Sequence, residues 1–216
     1  MDIHTEIVKA GYDDNPYIEN ALVDAYAKCG HLAEAYALFS KISKHDDVVL
    51  WTALIAGYAQ KRQGVEALNC FTRMQREGHS PDAITFLSIL NACCHAGKLR
   101  EAQTYYENMS GKYGILPSLE HLTCMTVIYG YAGEFDKAIS MVKTMAIIDD
   151  TSPWLSLLGT CRKLGNLKLG ELAFEQVVQH GKSLGAAYVL MGNIYAAAGM
   201  QEDACMLESM KVRNAT

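Results

Sequence analysis

The ten residues YAKCGHLAEA at positions 26–35 return five more times along the chain in altered form. The later copies share a central break and a small closing residue: YAQKRQGVEA (58–67), CCHAGKLREA (93–102), YGYAGEFDKA (129–138), CRKLGNLKLG (161–170) and YAAAGMQEDA (195–204). The six closing positions, 35, 67, 102, 138, 170 and 204, are 32, 35, 36, 32 and 34 residues apart. A repeat of this length holds two helices and a turn, so the sequence predicts an all-α solenoid of helix-turn-helix repeats.

Residues 48–82 show how one repeat is built. The segment VVLWTALIAGYAQ predicts a first helix with one apolar side formed by Trp51, Leu54, Ile55 and Tyr58. After a break, VEALNCFTRMQRE predicts a second amphipathic helix whose apolar side is formed by Val65, Leu68, Phe71 and Met74. Gly78 and Pro81 are expected to end that helix, since glycine accepts the left-handed conformation and proline prevents continuation.

Glycine occupies the break between the two helices in five of the six copies: Gly30, Gly97, Gly133, Gly165 and Gly199. A positive φ costs glycine least, which suits a tight turn between helices. The second copy has Arg62 at this place, so we expect Gly64 to take over its turn. Residues 1–15 are interpreted as the second helix of a partial repeat.

The composition narrows the class of protein. Half of the residues are hydrophobic and the formal net charge is −5, which disfavours a general nucleic-acid binder and restricts any such contact to a local surface. No apolar run is long enough to span a bilayer, so no membrane association is predicted. The N-terminal MDIHTEIVKA has no features of a signal or transit peptide, and a targeting segment, if the natural protein has one, is expected outside this chain.

The seven cysteines do not form a recognisable metal or disulfide framework. Their number is odd, no CxxC is present, and most occupy small-residue positions of the repeat. We therefore interpret them as reduced packing residues. A zinc site of His95 with Cys93 and Cys94 is disfavoured, because adjacent helical residues point about 100° apart. The zinc deaminase, phosphate-loop and GxSxG patterns are absent, so neither catalysis nor a cofactor is predicted.

The sequence resembles the plant pentatricopeptide repeat proteins, in the class that alternates long and short units. The resemblance is carried by NALVDAYAKCGHLAEAYALF (20–39), VVLWTALIAGYAQ (48–60), GVEALNCFTRMQREGHSPDAITFLSILNACCHAGKL (64–99) and YGILPSLEH (113–121). It implies a right-handed superhelix with a partial unit at 1–15, a short unit at 16–47, a standard unit at 48–82, a long unit at 83–118 and a short unit at 119–150.

The last two units, 151–184 and 185–216, resemble the C-terminal E1 and E2 motifs of organelle RNA-editing factors, and the second also resembles a tetratricopeptide repeat. This implies a sequence-specific RNA-binding segment for C-to-U editing in a mitochondrion or chloroplast. Residues 151–216 would dock a deaminase domain or another editing-complex protein. Capping of the solenoid is the alternative role for these units.

In the family, each unit reads one base of single-stranded RNA through its fifth and last residues. Carried over, the pairs are Asn20 with Asp47, Thr52 with Asp82, Leu87 with Ser118, and Thr123 with Asp150. The family's pairing rules imply uridine for Asn–Asp and guanosine for Thr–Asp, whereas Leu87 cannot form a hydrogen bond to a base. The expected footprint is 5′-U-G-N-G-3′.

The second residue of a unit clamps the base by packing, which implies the residues Tyr17, Val49 and Ile84. Glu120 occupies this place in the fourth unit and is a poor clamp. Phosphate contacts are implied near the end of the first helix, where the two lysines are Lys28 and Lys163. A protein-interaction solenoid of the tetratricopeptide kind, without RNA readout, stays open as an alternative that the acidic charge favours.

Overall fold

A computed structural model of the protein describes residues 15–42, 47–145, 151–180 and 184–213. Every regular element in these ranges is an α-helix, and the chain divides into two compact units at Pro117–Ser118. The first unit contains six described helices: α1 Pro16–Cys29, α2 Leu32–Phe39, α3 Val48–Gln60, α4 Gly64–Arg76, α5 Ala83–Ala96 and α6 Leu99–Gly111. The second contains α7 Leu119–Tyr131, α8 Phe135–Met145, α9 Ser152–Leu164, α10 Leu167–His180, α11 Leu184–Ala197 and α12 Gln201–Arg213.

Consecutive helices form hairpins, and the hairpins stack through their first helices. In the first unit, α3 packs between α1 and α5 and also contacts its own partner α4. In the second unit, α9 packs between α7 and α11 in the same way, with α10 as its hairpin partner. The predicted all-α repeat of helix-turn-helix units is therefore confirmed. The predicted partial unit at 1–15 and residue Asp150 fall outside the described residues, apart from Asn15.

Aromatic residues form much of the core of the first unit. Trp51 is fully buried and its ring lies edge-on to Phe39, with 4.6 Å between centroids. Leu54 and Ile55 are also buried, as predicted for this side of α3. The prediction was wrong for Val65, which is 57% exposed. Ala67 lies two residues further along α4, which is a rotation of about 200° around the helix axis. Because Ala67 is on the buried face, Val65 lies on the opposite, exposed side.

The turns follow the glycine pattern with one exception. The five predicted glycines all have positive φ, between 66° and 79°. Gly64 does not take over the turn of the second copy, contrary to our expectation. Arg62 itself adopts the left-handed conformation, with φ 59°, and Gly64 is the first residue of α4. Gly64 serves close packing instead, because a Cβ there would lie 2.9 Å from the carbonyl oxygen of Ala92 on α5.

Four of the seven cysteines are buried: Cys70, Cys93, Cys124 and Cys161. Burial raises the pKa of Cys93 to about 12 and the pKa of Cys70 and of Cys161 to about 11. These thiols therefore stay protonated at neutral pH and act as small apolar groups in the core. None of the described helices is long and apolar enough to cross a membrane.

Candidate nucleic-acid interface

In the first compact unit, the two predicted reading aspartates lie at the N-terminal ends of the first helices of successive repeats. Asp47 is the N-cap of α3, and its carboxylate accepts a hydrogen bond from the backbone N–H of Val49 at 2.8 Å. Asp82 is the N-cap of α5 and accepts from the backbone N–H of Thr85 at 2.7 Å. Each cap satisfies one otherwise unpaired N–H and places a negative charge at the positive end of the helix. The two carboxylates are thus held at the same end of successive first helices.

The three predicted clamp residues form an exposed apolar series. Tyr17, Val49 and Ile84 are 86%, 62% and 64% exposed, and each occupies the second position of its unit. Large apolar side chains at one repeated, solvent-facing position have no packing role within the described chain. They are therefore available to contact the faces of bases, which every nucleotide offers irrespective of sequence.

Glu120 occupies the second position of the repeat 119–150, and it is acidic where the three clamp residues are apolar. It is exposed, and a hydrogen bond from the hydroxyl of Ser118 lowers the pKa of its carboxyl below the usual range. The side chain is therefore negatively charged at neutral pH. That Glu120 is a poor clamp for a base flanked by phosphates stays a prediction.

The predicted pair Thr52 and Asp82 is joined through a third residue, Thr85. The hydroxyl oxygens of Thr52 and Thr85 are 2.7 Å apart, and the Thr85 hydroxyl donates to Oδ1 of Asp82 at 2.8 Å. Thr52 is 8% exposed and Thr85 is fully buried, while Asp82 is exposed. Thr85 is not among the reading residues predicted from the sequence. A hydroxyl three residues after an N-cap aspartate is the pattern of a capping box, which could have identified it.

The pair Asn20 and Asp47 is arranged differently. Asn20 is partly buried on α1, and Asp47 is exposed at the start of α3. Among the described residues no hydrogen bond joins their side chains. The place that Thr85 takes in α5 is taken in α3 by Leu50, which is buried and cannot relay a hydrogen bond.

The second compact unit contains two predicted reading residues that the structure describes, Thr123 and Ser118. Thr123 is partly buried on α7, and its predicted partner Asp150 is outside the described residues. Ser118 is the N-cap of α7, with its backbone N–H donating to Nδ1 of His121 at 3.2 Å and its hydroxyl 2.7 Å from the same atom. Because a backbone N–H can only donate, Nδ1 of His121 is the acceptor in the first of these two contacts. The backbone N–H and the hydroxyl of Ser118 are therefore both occupied at the start of α7, by contacts with His121 and Glu120.

The two predicted phosphate-binding lysines already have contacts within the protein. Lys28 forms an ion pair with Asp24, four residues earlier on α1, with 2.7 Å between Nζ and Oδ2. Nζ of Lys163 lies 5.9 Å from the ring centroid of Tyr131. Exposed ion pairs of this kind contribute little and exchange readily with another anion. These two lysines would therefore add only a weak electrostatic component to any RNA binding.

The alternative zinc site is not formed in the described part of the chain. Cys93 is fully buried in the core between α5 and its neighbours, whereas His95 is exposed. The described residues contain no group of three His, Cys, Asp or Glu side chains that could hold a metal ion.

Comparison with known proteins places these observations in a family context. The profile described as "PPR repeat family" matches residues 46–95, and the profile described as "PPR repeat" matches residues 20–46 and 84–113. The maize pentatricopeptide repeat protein PPR10, solved in complex with an 18-nucleotide psaJ RNA element, superposes with a TM-score of 0.76 at 20% identity. The likeness covers 92% of this chain and 30% of PPR10, and it supports the repeat fold.

Two pentatricopeptide repeat-containing proteins of Arabidopsis thaliana show the extent of the sequence similarity. One is 37% identical over 94% of this chain, and another, described as mitochondrial, is 40% identical over 91%. These matches cover 30% and 31% of the two relatives, so the chain spans about a third of their length. The chain therefore carries matches to the PPR repeat family at residues 20–113 and is similar along almost its whole length to segments of pentatricopeptide repeat-containing proteins.

Proposed function

We propose that this chain is a sequence-specific single-stranded RNA-binding segment that reads one base per repeat. The observation that carries the proposal comes from the first compact unit, where Val49 and Ile84 are exposed and Thr52 is linked to Asp82 through Thr85. Apolar contacts from the two clamp residues would hold the faces of a base. The polar pair would hydrogen-bond its edge, which is how single-stranded RNA is usually recognised.

The proposed footprint is 5′-U-G-N-G-3′, parallel to the chain. Asn20 with Asp47 would select uridine, and Thr52 with Asp82 would select the first guanosine. Thr123 with Asp150 would select the second guanosine, while Leu87 leaves its nucleotide unspecified. At about 1–3 kcal/mol for each stacked or read base, three readable bases give weak binding once ordering costs are subtracted.

We further propose that the chain is part of an organelle RNA-editing specificity factor of the class with alternating unit lengths and C-terminal E1 and E2 motifs. Residues 151–216 would dock a deaminase domain or another protein of the editing complex, and the chemistry would come from that partner. The exposed apolar side chains Val189, Met206 and Met210 on α11 and α12 support a docking role. A mitochondrial or chloroplast location is proposed, and the descriptions of several relatives as mitochondrial support the first.

The second candidate is a protein-interaction solenoid without RNA readout. It is favoured by the net charge of −5 and by the ion pair that already occupies Lys28. A protein of this kind would show no preference among bases at any salt concentration.

The proposal is tested by fluorescence-polarisation titrations at low salt with a short RNA carrying UGAG. The control RNA has both guanosines changed to adenosine, and the Thr52→Asn and Thr123→Asn variants are titrated in parallel. We expect tighter binding to UGAG and a shift toward uridine at the corresponding base in each variant. Equal binding of all RNAs by a folded, helical sample would contradict RNA reading and favour the protein-docking alternative.

A further inference from the structure

The hydroxyl of Thr85 uses its one donor position and both of its acceptor positions within the protein. Its oxygen lies 2.8 Å from Oδ1 of Asp82, 3.3 Å from the backbone nitrogen of Asp82 and 2.7 Å from the hydroxyl oxygen of Thr52. The backbone N–H can only donate and the carboxylate can only accept. The hydrogen bond to the carboxylate is also the stronger use of the single proton of Thr85, because one partner is charged.

The bonds of Thr85 to Asp82 determine which hydroxyl donates in the hydrogen bond between Thr52 and Thr85. Since the proton of Thr85 goes to Asp82, the 2.7 Å contact between the two hydroxyls must use the proton of Thr52. Thr52 then keeps lone pairs but has no proton to offer. Thr85 is fully buried, so water does not compete for its bonds and the direction is held.

We propose that Thr85 is a positioning residue that fixes the Thr52 hydroxyl as a hydrogen-bond acceptor, so that this repeat prefers guanine. This inference rests on the proposed RNA-reading function and adds a residue outside the pairs that the family resemblance implies. Thr85 acts only through Thr52 and Asp82 and need not touch the RNA.

The chemistry of the bases explains the preference. Oδ1 of Asp82 accepts both bonds from Thr85, and no described contact engages Oδ2. Thr52 Oγ1 and Asp82 Oδ2 therefore both present acceptors. Guanine has two adjacent donors, N1–H and the N2 amine, on its Watson–Crick edge. Adenine places the acceptor N1 beside its amine, and uracil flanks its one donor with two acceptors, so neither matches two acceptors.

The two other predicted reading pairs have no hydroxyl at the position that Thr85 occupies. The position equivalent to Thr85 is Leu50 after the pair led by Asn20, and it is Pro153 after the pair led by Thr123. Neither residue has a hydroxyl. No relay of this kind is expected at Thr123, so the fourth base of the footprint serves as an internal control for the second.

The test measures the ratio of dissociation constants for adenosine and guanosine at the second base of UGAG, and separately at the fourth base. Thr85→Val removes the hydroxyl with little change in shape, and Thr85→Ser restores it. The matched control is Ser88→Ala on the same helix, because Ser88 is also buried but bonds only the carbonyl of Ile84 in its own helix. Circular dichroism melts of all variants monitor folding.

We expect Thr85→Val to lower the preference for guanosine at the second base by about two- to tenfold, the factor carried by one ordinary hydrogen bond. The preference at the fourth base should not change, and Thr85→Ser and Ser88→Ala should behave as the wild type. An unchanged preference in a folded Thr85→Val protein overturns the inference and leaves RNA reading intact. Equal weakening at both bases indicates a structural role only and also overturns it.

A wild-type protein without base preference at the second position overturns the proposed readout together with this inference. If Thr85→Val does not fold, the wild-type protein is titrated with N1-methylguanosine at the second base. This analogue lacks the N1–H donor, so the inference requires it to bind as weakly as adenosine. Binding as tight as that of guanosine overturns the inference.

Discussion

At the residue scale, the position of a side chain within the repeat decides whether it is buried in the core or exposed to solvent. Trp51 and Val49 are two residues apart on α3, yet Trp51 is fully buried and Val49 is largely exposed. An exposed valine contributes little to the core, so its apolar surface is available for a ligand. The clamp positions can therefore be tested without disturbing the fold.

Replacing Val49 or Ile84 by serine should weaken RNA binding several-fold, because an aliphatic contact with a base, of about 1 kcal/mol, is lost. The unfolding free energy should change by less than about 0.5 kcal/mol, since neither side chain is buried. Fluorescence polarisation and thermal melts measure the two effects. Val65→Ser is the matched control, since Val65 is an equally exposed valine away from the reading residues. RNA binding that weakens as much in Val65→Ser would contradict a specific clamp.

The raised thiol pKa values predict which cysteines react. The pKa of Cys93 is about 12, so at pH 8 the thiolate fraction is on the order of a thousandfold below that of an ordinary thiol. In alkylation followed by mass spectrometry, Cys29 and Cys205 should react first because they are exposed, and Cys93 and Cys161 should react last. The same reaction in urea should label all seven. Early labelling of Cys93 in the native protein would show that α5 opens readily.

At the element scale, each hairpin is set by its turn and by how closely the next helix can approach. Arg62 occupies a conformation that costs a non-glycine residue about 1–2 kcal/mol, while the following Gly64 lies against the backbone of α5. The sequence contains both residues, separated only by Gln63, but it does not reveal which has the positive φ. That choice depends on the contact between α4 and α5.

Arg62→Gly should stabilise the protein by up to about 1 kcal/mol, because glycine adopts positive φ without steric strain. The expected result is a higher midpoint in thermal or urea unfolding followed by circular dichroism. Arg62→Ala provides the comparison, since it removes the charge and keeps the strain. Stabilisation of equal size in Arg62→Ala would attribute the effect to charge and not to backbone conformation.

Gly64→Ala should have the opposite effect. The new Cβ would lie 2.9 Å from the Ala92 carbonyl oxygen and 2.8 Å from the Cβ of Ala96, so α4 and α5 must separate at a cost of about 1–3 kcal/mol. Gly159→Ala on α9 is the matched control, because a Cβ there meets nothing within 4 Å. The control should be neutral or slightly stabilising, through helix propensity. Thermal melts compare the two, and an equal response would contradict the close approach at Gly64.

At the scale of the whole molecule, the acidic charge constrains how RNA can bind. The net charge is −5, and the two lysines at implied phosphate positions contact Asp24 and Tyr131. Under the proposed function, affinity for RNA would therefore come mainly from bases and not from phosphates. This distinguishes the chain from basic nucleic-acid-binding proteins, whose affinity falls steeply with salt.

The logarithm of the RNA association constant should therefore fall only weakly with the logarithm of salt concentration. Two phosphate contacts on a single strand correspond to a slope of about −1.4. Titrations between low and physiological salt measure this slope, with Lys28→Gln expected to reduce it by about 0.7. A steep slope, typical of many phosphate contacts, would contradict base-dominated recognition by the described surface.

The helical-hairpin repeat follows from local properties of the sequence: a period near 34 residues, helical apolar spacing and glycine at the breaks. The sequence also indicated the positions of Thr52, Asp82 and the clamp residues through the family resemblance. The tertiary structure alone decided that Arg62 takes the left-handed turn, that Val65 faces solvent and that Thr85 links Thr52 to Asp82. These features depend on how neighbouring helices meet, with Thr52 and Thr85 separated by 33 residues, and no pattern within one repeat specifies such contacts.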